Sequence, residues 1–225
     1  QRRVVEALKT AGKRIVFVNF SGAAIALEPE SQNCEAILQA WYPGQAGGQA
    51  VAEVLFGDYN PAGKLPLTFY RNLAQIPDFE DYNMTGRTYR YMKETPLFPF
   101  GHGLSYTTFK YGKLKMNDDK IAAGQNLNLV IPVTNTGSRD GDEVVQVYLK
   151  KMDDTEGPVK TLRAFKRVRI PAGKTVEVKF SLDDTQLEWW DEQSNTMRVC
   201  PGNYTVMIGG TSCEKSLLSR AFTIR

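Results

Sequence analysis

Apolar residues recur at helical spacing and in short unbroken runs through the first part of the chain, and alternate strictly beyond Leu104. Val4, Val5 and Leu8, with Ala7 and Ala11, mark one face of an amphipathic helix, and Gly12 supplies its stop. Ile15–Phe20 (IVFVNF) is nearly continuous in apolar residues, the pattern of a parallel strand covered on both faces. After a Pro-containing connection, Ala36–Tyr42 (AILQAWY) repeats the strand signal. Pro43–Gly48 forms a turn, Val51, Val54 and Leu55 make an apolar helical face, and Gly57 ends it. Lys64–Phe69 (KLPLTF) predicts a strand, but Pro66 lacks an amide hydrogen and confines that strand to an edge. These elements describe the last part of a parallel α/β layer.

From Tyr70 to Gly103 the periodicity disappears while Pro, Asn, Gly and aromatics accumulate, predicting an irregular connection of a length that is usually functional or bridges domains. The period then becomes two. Leu127, Leu129, Ile131 and Val133 alternate, as do Val145, Val147 and Leu149, then Val176, Val178, Phe180 and Leu182, and finally Tyr204, Val206 and Ile208. Turn chemistry separates them at Asn135–Gly141 (NTGSRDG), Pro171–Gly173 and Pro201–Asn203. With Phe109–Met116, Leu162–Ile170 and Ala221–Ile224, about seven strands result, the count of an immunoglobulin-like or fibronectin type III-like sandwich. The predicted fold class is thus a partial, mostly parallel α/β sandwich followed by an all-β sandwich. Residues 1–103 hold the first, with 70–103 as the linking segment, and residues 104–225 the second.

Composition agrees with two packed domains: of 225 residues, 42% are hydrophobic and 24% charged. A net charge of +3, with no basic stripe, argues against nucleic acid as a partner; Lys166–Arg169 (KRVR) reads as a solvated strand face. No apolar run reaches the roughly 18 residues of a membrane span, so no membrane partner is expected. One histidine and the scattered Cys34, Cys200 and Cys213 suit neither a zinc site nor a disulfide scaffold, and no metal or cofactor is expected. Cys200 and Cys213 flank a strand and could just be bridged, leaving Cys34 as a buried thiol. The chain opens at Gln1 inside a helix pattern and has neither an initiator Met nor a signal segment, which suggests a portion of something longer.

Candidate chemistry is sparse. The glycines of GDYNPAGK have five residues between them where a phosphate loop has four, and Leu65 stands where that loop has Ser or Thr. The glycines of Gly44–Gly48 suit close strand–helix packing better than anion binding. Sugar hydrolysis needs two carboxyl groups facing one bond, about 5–5.5 Å apart for retention; the only dense acidic group, Asp78, Glu80 and Asp81, reads better as turn and solvent residues. His102 has no nucleophile elbow to serve and reads as a loop histidine packed among aromatics. Three sequons begin at Asn19, Asn83 and Asn203, the first in a buried strand. In GRTYRYM (Gly86–Met92), Arg87, Tyr89 and Arg90 offer forked donors and a stacking face suited to sugar hydroxyls, and are the candidate substrate-binding residues. The alternative for that stretch is a strand or an Arg–aromatic brace between domains. Trp189 and Trp190 offer a similar platform, although in a strand one ring would face the core.

Three long motifs, AWYPGQAGGQAVAEVLFGDYNPAGKLPLTF (Ala40–Phe69), PLFPFGHGLSYTTF (Pro96–Phe109) and LRAFKRVRIPAGKTVEVKFSL (Leu162–Leu182), resemble in order the C-terminal part of glycoside hydrolase family three. The resemblance implies a parent with a barrel domain, an α/β sandwich and a fibronectin type III-like domain. It implies retaining, exo-acting hydrolysis of β-linked xylo- or gluco-oligosaccharides in a secreted or periplasmic enzyme. The family's catalytic Asp, on the barrel, and Glu, on a sandwich-domain loop, both precede Gln1 in motif order, so no catalytic residue carries onto this chain. FEDYNMT with GRTYRYM is more similar to the β-xylosidase branch than to the β-glucosidase branch. One departure is His102, where many relatives have Tyr.

Overall fold

The spacing of Val4, Val5 and Leu8 gives α1 (Arg2–Thr10), whose chain reverses at Gly12, φ +67°, with the Gly12 amide donating to the Lys9 carbonyl. The computed structural model describes all residues, Gln1–Arg225. The apolar runs become β1 (Val16–Asn19) and β2 (Ala36–Gln39), parallel and in register from Val16 opposite Ala36 to Asn19 opposite Gln39. Between them lies α2 (Glu28–Asn33). β2 is shorter than the predicted Ala36–Tyr42: Trp41 turns to φ +54° and packs edge-on against Phe69, ring centres 6.2 Å apart, leaving Tyr42 exposed. Nor is β1 covered on both faces, since Val16 and Phe20 stay more than half exposed in a sheet of two strands. α3 (Gly47–Phe56) begins where a Cβ on Gly47 would lie 2.4 Å from Pro43, and ends at the left-handed Gly57, φ +83°.

Lys64–Phe69 does not form a regular strand. Its hydrogen bonds to Leu97–His102 bracket Pro66: Leu65 donates to His102 and accepts from Gly101, both at 2.8 Å, and Phe69 donates to Phe98 at 2.9 Å. The missing Pro66 amide accounts for the gap. Residues 70–103 are irregular as predicted, holding a 3₁₀ turn at Leu73–Gln75 and the single turn α4 (Thr88–Tyr91).

The later strands are β3 (Phe109–Tyr111), β4 (Lys115–Met116), β5 (Lys120–Ile121), β6 (Leu127–Asn135), β7 (Gly141–Lys151), β8 (Thr161–Ile170) and β9 (Thr175–Leu182). After the turn α5 (Asp184–Leu187) come β10 (Trp189–Asp191), β11 (Thr196–Arg198), β12 (Gly202–Gly209) and β13 (Leu218–Ile224). One sheet runs β5-β13-β12-β7-β8; the other pairs β6 with β9 on one side and with β3 and β4 on the other; β10 and β11 make a separate hairpin. Phe109–Met116 splits into β3 and β4 because it faces Pro132. Tyr111 pairs with Val133 and Lys115 with Val130, and the ladder breaks opposite the residue that cannot donate. Cys200 and Cys213 sit at opposite ends of the eight-residue β12 and are free thiols, as is the half-buried Cys34. A strand of that length holds its ends far beyond disulfide reach.

The alternating residues of β6, β7, β9 and β12 face one another between the sheets, with Leu127, Leu129, Ile131, Val133, Val145, Val147, Leu149, Tyr204, Val206 and Ile208 fully buried. Burial of each such aliphatic side chain contributes about 1.5–3 kcal/mol. β7 breaks the expected pattern. Gln146 and Tyr148 point away from this core and are nonetheless 3% and 0% exposed, because residues 86–103 lie over the outer face of the sheet. Tyr89 stacks on Phe100 at 4.4 Å and meets Tyr148 edge-on at 5.8 Å. Gln146 Nε2 donates to the Gly210 carbonyl at 2.6 Å, and Ser212 donates to the Phe100 carbonyl at 2.9 Å. A second tie is made by Lys64, whose Nζ lies 3.2 Å from Glu143 Oε1 and donates to the Gly103 carbonyl at 2.9 Å. A third joins two asparagines to one turn. Asn60 donates to the Asp140 carbonyl and accepts from Ser105 and Tyr106. The buried Asn135 holds Thr107, Gly137, Arg139 and Ile170.

Gly101 sits at φ +77° where a Cβ would lie 2.1 Å from Gln146 Oε1. Gly101→Ala is expected to lower stability in urea unfolding by about 2–4 kcal/mol, whereas Gly12→Ala, left-handed but with open space around it, loses about 1 kcal/mol; equal losses would contradict this packing. Burial raises the Glu143 carboxyl above its ordinary range, against the pull of Lys64. As pH rises the unfolded carboxyl releases its proton first, so stability from this group falls through the window above the ordinary Glu value. The urea midpoint of Glu143→Gln is therefore expected to gain on that of the unaltered chain as pH rises above about 4; a constant difference would contradict it.

Candidate functional site

The one-turn helix α4 sorts the three candidate residues to different tasks. It is set by Gly86 at φ +75° and Thr88 at φ +55°, with the Thr88 amide donating to the Tyr70 hydroxyl at 2.8 Å. Arg87 faces the preceding loop and donates to the carbonyls of Asp78, Asp81 and Asn83. Tyr89 faces the sandwich, where its hydroxyl accepts from the Leu162 amide at 3.1 Å in addition to its stack on Phe100. Arg90 faces the other way, its guanidinium over the Tyr91 ring at 5.5 Å, while its carbonyl accepts from Val159 at 2.6 Å. Arg87 and Tyr89 are thereby engaged within the chain, and the geometry leaves Arg90 facing open space.

That space is a cleft of about 580 Å³ between α4, the β7–β8 loop and the β10–β11 hairpin. Arg90 and Tyr91 line it from one side and Trp189 and Trp190 from another, so two motifs separated by a hundred residues enclose one space. Trp189 is buried, with Nε1 donating to Asp154 Oδ2 at 2.7 Å and Arg163 above its ring at 5.1 Å; Trp190 is half exposed. The alternation of a β-strand places one ring in and one out. The remaining wall, Asp153–Pro158 with Thr161 and Arg163, escaped the sequence reading; its one signal is the run DDTEGP between two strands. Burial, and then Arg90, depress the protonation range of the Arg163 guanidinium. The Nε atoms of Arg90 and Arg163 and the Thr161 hydroxyl are buried without a hydrogen-bond partner.

The other candidates do not assemble chemistry. Asp78 caps the Glu80 amide and Asp81 caps Asn83, whose two donors hold the Asp81 carboxyl below the ordinary range. Such a group stays ionised and is no proton donor at neutral pH. The His102 ring stacks on Phe98 at 5.3 Å, and burial followed by Lys64 lowers its pKa. Asn19 is buried and bonded to Ser21 and Gln39, which removes it as a glycan acceptor, while Asn83 and Asn203 are exposed.

Residues 1–106 match the glycosyl hydrolase family 3 C-terminal domain, and residues 143–212 match the fibronectin type III-like domain. The chain is 53% identical over 224 residues to a xylan 1,4-beta-xylosidase of Xylanibacter ruminicola, the match covering 100% of this chain and 26% of that protein. It is 39% identical over 227 residues to a periplasmic beta-glucosidase of Salmonella typhimurium, covering 95% of this chain and 30% of the relative. The fold superposes on a β-glucosidase from Erythrobacter marinus with a TM-score of 0.87 at 37% identity, over 100% of this chain and 30% of that one. A β-glucosidase from Listeria innocua gives 0.86 at 27% identity, over 99% and 32%. The chain thus spans between a quarter and a third of the length of these relatives. Both parts of the chain match in family order, and the chain belongs to glycosyl hydrolase family 3 as the C-terminal part of such an enzyme.

Proposed function

We propose that this chain is the C-terminal part of a retaining, exo-acting β-glycosidase, a β-xylosidase in preference to a β-glucosidase, and that its own task is to complete and brace the α/β domain. The observation that carries the sugar preference is the 53% identity to a xylan 1,4-beta-xylosidase, against 39% to the periplasmic beta-glucosidase. The bracing role rests on the three ties described above, which fasten residues 57–103 to the sandwich through Asn60, Lys64 and the Tyr89–Phe100 stack. We place the division at residue 103, a boundary supported by the start of the period-two strands beyond it. We assign the catalytic carboxylates to residues outside this chain, a reading supported by the use of Asp78 and Asp81 as turn caps. The relative named as periplasmic favours an exported parent acting on β-linked oligosaccharides.

The 225-residue chain is expected to show no turnover of aryl β-xylosides or β-glucosides. The parent reading frame containing it is expected to hydrolyse the xyloside with kcat/KM at least about tenfold above the glucoside. Turnover by the chain alone that disappears in Asp78→Asn, Glu80→Gln or Asp81→Asn would overturn the division of labour, and a reversed preference would overturn the choice of sugar.

A further inference from the structure

We propose that the cleft between α4, the β7–β8 loop and the β10–β11 hairpin binds a neutral oligosaccharide. Its volume of about 580 Å³ falls within the range of small-molecule sites. The ligand class follows from which groups around it are already used. Asp154 is taken by Trp189 and the Gly157 amide, and Asp191 by Ser194 and Arg198. The guanidinium of Arg90, the ammonium of Lys151, the carboxylates of Glu156 and Glu192 and the amide of Gln193 line the cleft without a hydrogen bond or ion pair in the chain.

These free groups are donors and acceptors of both charges, set beside the half-exposed Trp190 ring. An anionic ligand would meet Asp153, Asp154, Glu156, Asp191 and Glu192, and a cationic one Arg90, Lys151 and Arg163. An apolar ligand would strip water from all of them without replacing its hydrogen bonds. A sugar hydroxyl donates to a carboxylate and accepts from a guanidinium or ammonium at once, and the C–H face of a pyranose covers an indole. A neutral chain of sugars is therefore the class that satisfies both signs of charge and the aromatic surface together. Arg90 supplies donors and Trp190 the platform; Trp189, held by Asp154 and Arg163, sets the angle of the hairpin that carries Trp190.

The test is a titration of the full chain with xylotetraose and with cellotetraose, followed by tryptophan fluorescence and calorimetry. A saturable signal, insensitive to salt, is expected with at least one of them. Trp190→Ala is expected to weaken binding by about tenfold and Arg90→Gln by a smaller factor, both at unchanged Tm, since neither side chain holds a hydrogen-bond partner. Phe165→Ala, exposed on β8 outside the cleft, leaves binding unaltered. Should Trp190→Ala lower the Tm, Arg90→Gln and Glu156→Gln decide the matter in its place. Absence of saturation with both oligosaccharides, full affinity in these cleft variants, or tighter and salt-dependent binding of an oligogalacturonate would each overturn the proposal. The measurement reads binding without turnover, so its outcome is independent of whether the parent hydrolyses xylosides.

Discussion

The constraint on which the rest of the structure depends is the covering of β7 on both sides. A strand inside a sandwich buries alternate residues, and its other face ordinarily meets water. Here Gln146 and Tyr148 stand on that outer face and are sealed by Tyr89, Phe100 and Gly101. A buried Gln is tolerated only when its amide is satisfied, and it is: Nε2 donates to the Gly210 carbonyl while Oε1 accepts from the Tyr148 hydroxyl. The irregular connection is thus a second covering layer, and its path decides where α4, and with it Arg90, is held.

This layer also accounts for the density of small residues in the motifs that mark the family. A Cβ on Gly103 would lie 2.0 Å from the Gly63 carbonyl oxygen, and one on Gly141 would lie 2.6 Å from Thr107. Gly103 of FGHGLSY lets its backbone approach that of Gly63 in GDYNPAGK, whose glycines superficially suggest a phosphate cradle. Asn60 bonds to the turn from the α/β layer and Asn135, its first residue, bonds within it, so the loop NTGSRDG works as the keyway between the layers.

Much of the fold was legible in the chain because a two-residue period survives wherever one face is buried. Leu127–Val133, Val145–Leu149 and Tyr204–Ile208 fall where the alternation puts them, and Trp189 and Trp190 divide between core and surface as a strand requires. The failures have physical causes. The apolar run extends the predicted strand to Tyr42, whereas β2 ends at Gln39 before the turn at Trp41, and Phe109–Met116 reads as one strand because the effect of Pro132 acts across the sheet. Of the candidate site, the residue types of GRTYRYM pointed to an Arg–aromatic function, but nothing local could show that Arg87 and Tyr89 turn inward while Arg90 faces the cleft. The cleft itself joins residues from 90 to 197, a juxtaposition made only by the covering layer.

The basic run Lys166–Arg169 acquires a different meaning from its place in the sheet. β8 pairs with β7 alone and so is the open edge of the five-stranded sheet. Arg167 lies 2.7 Å from Asp142 on β7 and Arg169 3.3 Å from Asp140 in the turn before it, and the Lys166 ammonium reaches the Lys179 carbonyl on the facing sheet. A second chain seeking to extend the sheet would have to desolvate these charges beside the exposed backbone. The run therefore serves as a guard against edge-to-edge aggregation at the free edge of the sandwich.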